Sequence, residues 1–204
     1  MGRVSDARER LIAATIELIW LESYGAVTVD AICERANVKK GSFYHFFSSK
    51  DELVIESLEA HWQLRRAVLD TLFSPTVEPL DRLRTYFEHV YQRQLELKAK
   101  HGRFLGCFYS SVGVECAKQN PEIRLKVQEI MTRYMRYYES SLRDAQAAGL
   151  LPFGSVTAKA NGVFAYMEGV LGQARIQNDP ELLKDLGNAA LRMIGAVEPV
   201  RKAG

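Results

Sequence analysis

Residues 28–50 read Thr28-Val29-Asp30-Ala31-Ile32-Cys33-Glu34-Arg35-Ala36-Asn37-Val38-Lys39-Lys40-Gly41-Ser42-Phe43-Tyr44-His45-Phe46-Phe47-Ser48-Ser49-Lys50. In the first part, Val29, Ile32, Cys33 and Ala36 recur three and four apart, the spacing of one helical face. Thr28 stands before them as an N-cap whose hydroxyl accepts a free N–H of the first turn. Asn37 follows, a residue that tolerates the left-handed conformation in which helices end. A second short helix over 40–47 then begins with basic, small and hydroxyl side chains. Two helices joined by a tight turn, with contact residues at the start of the second, have the geometry of a helix-turn-helix reader of the DNA major groove.

Working outward, Ser49-Lys50-Asp51-Glu52 fits a capping box that opens a fourth helix. Its inward stripe is Leu53, Val54, Ser57, Leu58, His61, Leu64, Arg65, Val68 and Leu72, and it ends near Phe73, before Pro75. On the other side, residues 5–22 form an amphipathic helix whose apolar stripe is Leu11, Ile12, Leu18 and Ile19. Arg3, Arg8 and Arg10 flank it as a solvated face, and Tyr24–Val27 bends the chain into the second helix.

The order Thr28-Val29, Ile32, Ala36-Asn37-Val38, Lys40-Gly41-Ser42-Phe43-Tyr44, Phe47, Ser49-Lys50 and Leu53 resembles the DNA-binding domain of TetR-family transcriptional regulators. The resemblance implies a three-helix reader at 1–50. It implies DNA contacts from Thr28, Lys39, Lys40, Gly41, Ser42, Tyr44, His45 and Lys50, with Phe43 and Phe47 filling the small core. Two positions depart from the family pattern. Phe46 stands where a phosphate-binding His is common, and Lys39 where a Ser or Thr cap is common. The family also implies that residues 51–204 form a ligand-binding and dimerisation domain, with the helix over 51–73 as connector.

Net charge over 204 residues is +2, and residues 1–50 carry seven Lys/Arg against six Asp/Glu. Charge alone therefore does not point to nucleic acid, and any electrostatic footprint rests on Lys39, Lys40 and Lys50. There is no basic-then-apolar leader pattern and no apolar run near the ~18 residues of a membrane span. Three cysteines, Cys33, Cys107 and Cys116, are too few and too irregular for a disulfide framework or a zinc site. A cytoplasmic chain without cofactor or metal is expected.

The remainder is helical throughout, so the fold class is all-α with about nine helices. Helices are expected over 80–98, 103–118, from the Asn120-Pro121-Glu122 start to Gly149, over 155–178, and from Asp179-Pro180-Glu181 to about Val197. In the helix over 155–178, Gly162, Ala165, Gly169, Gly172 and Gln173 share one face. Each Gly costs a helix about 1 kcal/mol, so a close helix approach would explain the row. It can be packing inside one subunit or a homodimer interface. The family resemblance favours the dimer, and two half-sites ~34 Å apart require two readers.

A small-molecule pocket is expected among Trp62, Tyr86, Phe104, Cys107, Phe108, Ser111, Met131, Tyr134, Tyr138, Phe164 and Glu168, an apolar set with few polar groups. On a helix over 103–118, Phe104, Cys107, Phe108, Ser111 and Glu115 share a face. Cations upstream of Cys107 (Lys98, Lys100, His101, Arg103) would activate its thiol, and a small buried hydrophobe is the alternative role. The Gly106-Cys107 pair is similar to that of TetR-family members that sense quinones and other electrophiles.

The reading is thus a homodimeric repressor that binds a palindromic double-stranded operator and is released by a small molecule, not an enzyme. The rival readings are an enzyme using Cys107 with His101 or His89 as base, and a ligand-binding dimer without specific DNA recognition.

Overall fold

The computed structural model describes residues 2–197, with side chains from Asp6 onward, so Arg3's side chain and the end of the expected C-terminal domain, 198–204, lie outside the described residues. Among these residues the chain forms nine α-helices and no strand: α1 Gly2–Leu21, α2 Val29–Ala36, α3 Lys40–Phe46, α4 Lys50–Leu72, α5 Pro79–His101, α6 Phe108–Cys116, α7 Pro121–Ala147, α8 Val156–Gln177 and α9 Leu186–Met193. No described helix is long and apolar enough to cross a membrane.

The chain packs as two compact units. The first is Met1–Arg66 with Phe108–Met131, and the second is Ala67–Cys107 with Thr132–Gly204. Compaction therefore does not follow a linear boundary at residue 50. Nearly three-quarters of α4, all of α6 and the start of α7 pack with the helix-turn-helix.

In the first unit the caps are those the sequence encodes. Thr28 accepts the Ala31 N–H at 3.1 Å, and Asn37 takes the left-handed conformation (φ 51°, ψ 51°). Leu11, Ile19, Val27, Ile32, Ala36, Phe43, Phe47, Leu53 and Leu58 form the core. The helix-turn-helix is also tied by ions. Arg10 donates to the carbonyls of Ala36 (2.9 Å) and Asn37 (3.1 Å), capping the end of α2, and Arg8 pairs with Glu56. Arg8 and Arg10 stay solvated, as the sequence suggests, and also crosslink helices. The capping box of α4 is shifted. Ser49 accepts the Glu52 N–H as expected, but the Glu52 carboxylate reaches back to Ser48 (N–H 2.7 Å, hydroxyl 2.6 Å). Ser48 holds the Glu52 carboxyl below the usual carboxylate range.

Four expectations need correction. The first helix starts at Gly2, three residues early. The stripe of α4 changes phase after His61, so that Leu64 is 63% exposed while Trp62, Leu69 and Phe73 are buried. The last helix is interrupted: Asp179 caps only a 3-10 turn, Pro180–Leu183, and α9 starts anew at Leu186.

The largest correction concerns 103–118. Its helix begins only at Phe108. Gly106 sits at φ 74°, a conformation that breaks a helix. Its two backbone groups pair with the buried Gln94 side chain instead: Gly106 N–H donates to Gln94 Oε1 (3.2 Å), and Gln94 Nε2 donates to Gly106 C=O (3.1 Å). Asn178 Oδ1 takes the Phe104 N–H at 2.8 Å. Side chains of distant helices thus satisfy this stretch in place of helical bonds.

Gln94→Leu would remove both of these bonds to Gly106. Each such hydrogen bond contributes about 0.5–1.5 kcal/mol net, so we expect a loss of roughly 1–3 kcal/mol, read as a lower midpoint in urea unfolding.

Candidate functional site

The start of α3 presents the expected reader face. Lys39, Lys40, Gly41, Ser42, Tyr44 and His45 are exposed, while Phe43 and Phe47 are buried with ring centroids 5.9 Å apart. Lys39 occupies the N-cap without a side-chain cap bond; the Ser42 N–H is taken by the Lys39 carbonyl at 2.9 Å, so the Lys40 and Gly41 N–H groups are the ones that face an incoming acceptor. Gly41 is informative. A Cβ built there meets nothing within 4 Å, and its backbone lies outside the left-handed region. Nothing in the protein itself requires a glycine at this position.

The cations are not equally available. Lys40 is exposed but paired with Asp30 at 2.7 Å, and that hydrogen bond and charge raise its pKa. Lys50 is committed. Its half-buried Nζ donates to the carbonyls of Tyr24 (2.9 Å) and Val27 (3.0 Å) and lies 4.1 Å from the Tyr24 ring centroid. Two of the three ammonium donors are thus engaged, and a phosphate at Lys50 would share the group with these carbonyls. Thr28 uses its hydroxyl oxygen as the α2 cap, and its O–H remains for an outside acceptor.

The α1–α2 turn reveals residues that the sequence reading missed. The Glu115 carboxylate on α6 accepts the Tyr24 N–H (2.9 Å) and the Gly25 N–H (2.7 Å). Tyr24 O–H donates to Asp51, which also accepts from Asn120 Nδ2 at 2.6 Å. Burial first, then Asp51, raises the Tyr24 pKa well beyond the ordinary phenol range. These contacts link residues up to 91 positions apart, so no local pattern announces them. The one available signal was Gly25, a bend glycine outside the left-handed region.

The expected ligand set is divided. Trp62, Phe108, Ser111 and Met131 belong to the first unit. There Phe108 packs against Trp20 (5.6 Å) and His61 (5.1 Å), and His61 Nδ1 pairs with the Tyr109 hydroxyl at 2.8 Å. Tyr86, Phe104, Cys107, Tyr134, Tyr138, Phe164 and Glu168 belong to the second. Tyr138 is its centre, with ring centroids of Tyr86 at 5.7 Å and Phe164 at 6.1 Å. Its hydroxyl donates to Met167 Sδ at 3.4 Å. Burial, then the Tyr86 neighbour, pushes the Tyr138 pKa well up, so this phenol stays neutral.

The cysteines separate by environment. Burial raises the Cys33 pKa. Cys116 is pushed up to about 11 by burial, then by Glu115 and Asp51. Cys107 alone is half-buried, at the residue where α6 is about to begin.

A family profile described as bacterial regulatory proteins of the tetR family matches residues 11–56, and one described as the tetracyclin repressor-like C-terminal domain matches 79–190. The chain belongs to the TetR family. It is a DNA-binding transcriptional regulator of that family, built from an N-terminal helix-turn-helix and a helical C-terminal region. This TetR-family chain is 29% identical over 181 residues to the transcriptional regulator AcuR of Cereibacter sphaeroides, covering 88% of this chain and 81% of that one. It is 25% identical over 182 residues to the transcriptional repressor NemR of Escherichia coli, covering 88% and 89%. A solved structure of a regulatory protein TetR from Rhodobacter sphaeroides superposes with a TM-score of 0.81 at 29% identity, covering 91% of this chain and 97% of that chain.

Proposed function

We propose that this regulator is a cytoplasmic repressor that binds a palindromic operator as a homodimer and releases it when a small electrophile reaches the region of Cys107. The observation that carries the operator reading is Gly41, a glycine at the head of the exposed α3 face with open space around it. A backbone free of side chain lets a phosphate approach the open N–H groups. Ser42 would serve a base edge or a phosphate. Lys39, Lys40, Tyr44, His45 and Thr28 would serve phosphates, and direct contacts to phosphate position the reader without specifying sequence.

The dimer reading has the same kind of support. A Cβ at Gly169 or Gly172 meets nothing within 4 Å, so packing within the chain does not account for these glycines. Ala165 and Gln173 are likewise exposed, and a Cβ at Gly162 would make only an ordinary van der Waals contact with Met193 Cε at 3.8 Å.

For the effector, the two other thiols are held protonated by burial, and the half-buried Cys107 is the accessible nucleophile. Its sulfur would add to a quinone or another activated alkene. The S–C bond forms as the C=C π bond breaks, and the thiol proton ends on the adduct. The second-unit aromatics Tyr86, Phe104, Tyr134, Tyr138 and Phe164, with Glu168, would supply the apolar surroundings. Release is a population shift, so the effector must favour the non-binding arrangement, by about 5.5 kcal/mol to invert a 1:99 mixture.

The test uses a labelled duplex enriched by the parent protein from a random-sequence pool. We expect salt-dependent, sequence-selective binding, and release by benzoquinone. Cys107→Ser is expected to keep the parent's affinity while the quinone concentration needed for release rises by about tenfold or more, the scale on which losing a covalent anchor is read. Intact-mass analysis of the native parent should show one adduct, at Cys107. Release of the Ser variant at the parent's quinone concentration would reject the covalent step, and absence of selective DNA binding would reject the repressor reading.

A further inference from the structure

We propose that Glu115 is a positioning residue for operator binding: its carboxylate fixes the α1–α2 turn and so sets where the helix-turn-helix begins. The inference rests on the operator reading above and adds to it a residue on α6, far from the reader in sequence.

The turn at 24–27 has its polar groups taken from two sides. Glu115 takes the N–H groups of Tyr24 and Gly25, one on each carboxylate oxygen, at 2.9 and 2.7 Å. Lys50 takes the carbonyls of Tyr24 and Val27 at 2.9 and 3.0 Å. Thr28 follows directly and caps α2, so a shift of the turn is a shift of the α2 start. The helix α2 in turn packs with α3, and Ile32, Cys33 and Phe43 of the pair are buried.

Two adjacent N–H donors need two acceptor oxygens. A carboxylate supplies both, with the extra strength of a charged acceptor. A carboxamide supplies one oxygen and an NH2 group that opposes the second donor.

Two glycines independently mark the closeness of this grip. A Cβ at Gly25 would lie 2.9 Å from Glu115 Oε1, so any side chain there would make the carboxylate shift from its present seat on the turn. On α6 itself, a Cβ at Gly113 would lie 2.9 Å from Val127 Cγ1. The helix carrying Glu115 is therefore seated directly on α7. Asn120 extends the anchoring, capping α7 through Ile123 N–H (3.1 Å) while donating to Asp51. The turn is thus referenced to α4, α6 and α7 at once, all within the first unit.

The experiment compares the parent with Glu115→Gln, Glu115→Ala, Gly25→Ala and the double variant Glu115→Ala/Gly25→Ala on the duplex enriched by the parent. Affinity is read by fluorescence anisotropy, and the active fraction by stoichiometric titration. Glu115→Gln is expected to raise Kd about tenfold, the scale of one missing charge-assisted bond, with the active fraction unchanged. Gly25→Ala is expected to do the same by pushing the carboxylate away. In the double variant the Gly25→Ala change should cost nothing further, because the atom it collides with is gone.

Parent-like affinity of Glu115→Gln would overturn the proposal. So would multiplicative losses in the double variant, or losses confined to the active fraction. Amide exchange gives a reading on the unaltered protein: Tyr24 and Gly25 N–H groups should be protected in the parent, and rapid exchange at both would also overturn it. A parent that binds no duplex selectively would instead reject the operator reading itself.

Discussion

Gly169→Arg is expected to leave a folded chain that has lost most of its grip on the operator. Gly169 is exposed on α8, and a Cβ there meets nothing within 4 Å. The monomer can therefore accept a long side chain at this position without repacking. The substitution even removes a helix-interior glycine, a gain of up to about 1 kcal/mol in helix propensity. A symmetric interface meets the same change twice, since the contact surface is self-complementary. Two guanidinium groups would then face each other across a seam built for bare backbone, and burying unpaired charge is among the costliest changes a contact can suffer.

The consequence for DNA follows from linkage. Two readers held in one dimer bind their half-sites as a single event, and separating them removes an effective-concentration gain of about 100-fold or more. We expect circular dichroism and the thermal midpoint of Gly169→Arg to match or exceed the parent. Light scattering should move from dimer to monomer mass, and operator affinity should fall about 100-fold or more. Gly162→Ala is the internal comparison, since its Cβ would make an ordinary contact with Met193 at 3.8 Å within the same chain and adds a single methyl. It should stay dimeric. A dimeric Gly169→Arg with parent affinity would remove α8 from the interface.

The elements whose signals are local were legible in the sequence, and those held by distant partners were not. Thr28, Asn37 and Asn120 were readable as caps because a cap acts within four residues of itself, and the bonds to Ala31 and Ile123 lie where the pattern puts them. Phe43 and Phe47 were readable as core because their spacing of four places both on one face. The stretch 103–107 was misread because its apolar content fits a helix, while what unwinds it is Gln94, 12 residues before Gly106, closing on that glycine's backbone. The α4 stripe slipped at Leu64 for a related reason. The helix passes from one unit to the other near Arg66, and its buried face changes with its surroundings. In the site, the residue types of the reader were visible but their commitments were not. Lys50 reads as a cation for phosphate, and only the fold shows two of its donors on the carbonyls of the α1–α2 turn.

Gly41→Leu is the second change with a large expected effect, and it separates stability from function by sign. In the free protein this position is empty on its outer side, and its backbone is one that any residue adopts. Leucine is a far better helix former than glycine, by up to about 1 kcal/mol, and nothing within the chain resists the longer side chain. The variant should therefore unfold at the parent temperature or above it.

Against DNA the same side chain stands where backbone N–H groups must come within hydrogen-bond reach of phosphate, ~2.9 Å. A four-carbon branch holds the groove away by more than that distance and takes Ser42 and Lys39 beside it out of reach as well. We expect operator affinity to fall about 100-fold, and the slope of log Kd against log salt to flatten by about one unit for each phosphate that is no longer neutralised. Gly41→Ala, with one methyl, should fall between. A Gly41→Leu protein that binds as the parent does would mean that α3 enters the groove by another face. Ser42 and Phe46, which lie off the face that Gly41 shares with Tyr44 and His45, would then be the next residues to replace.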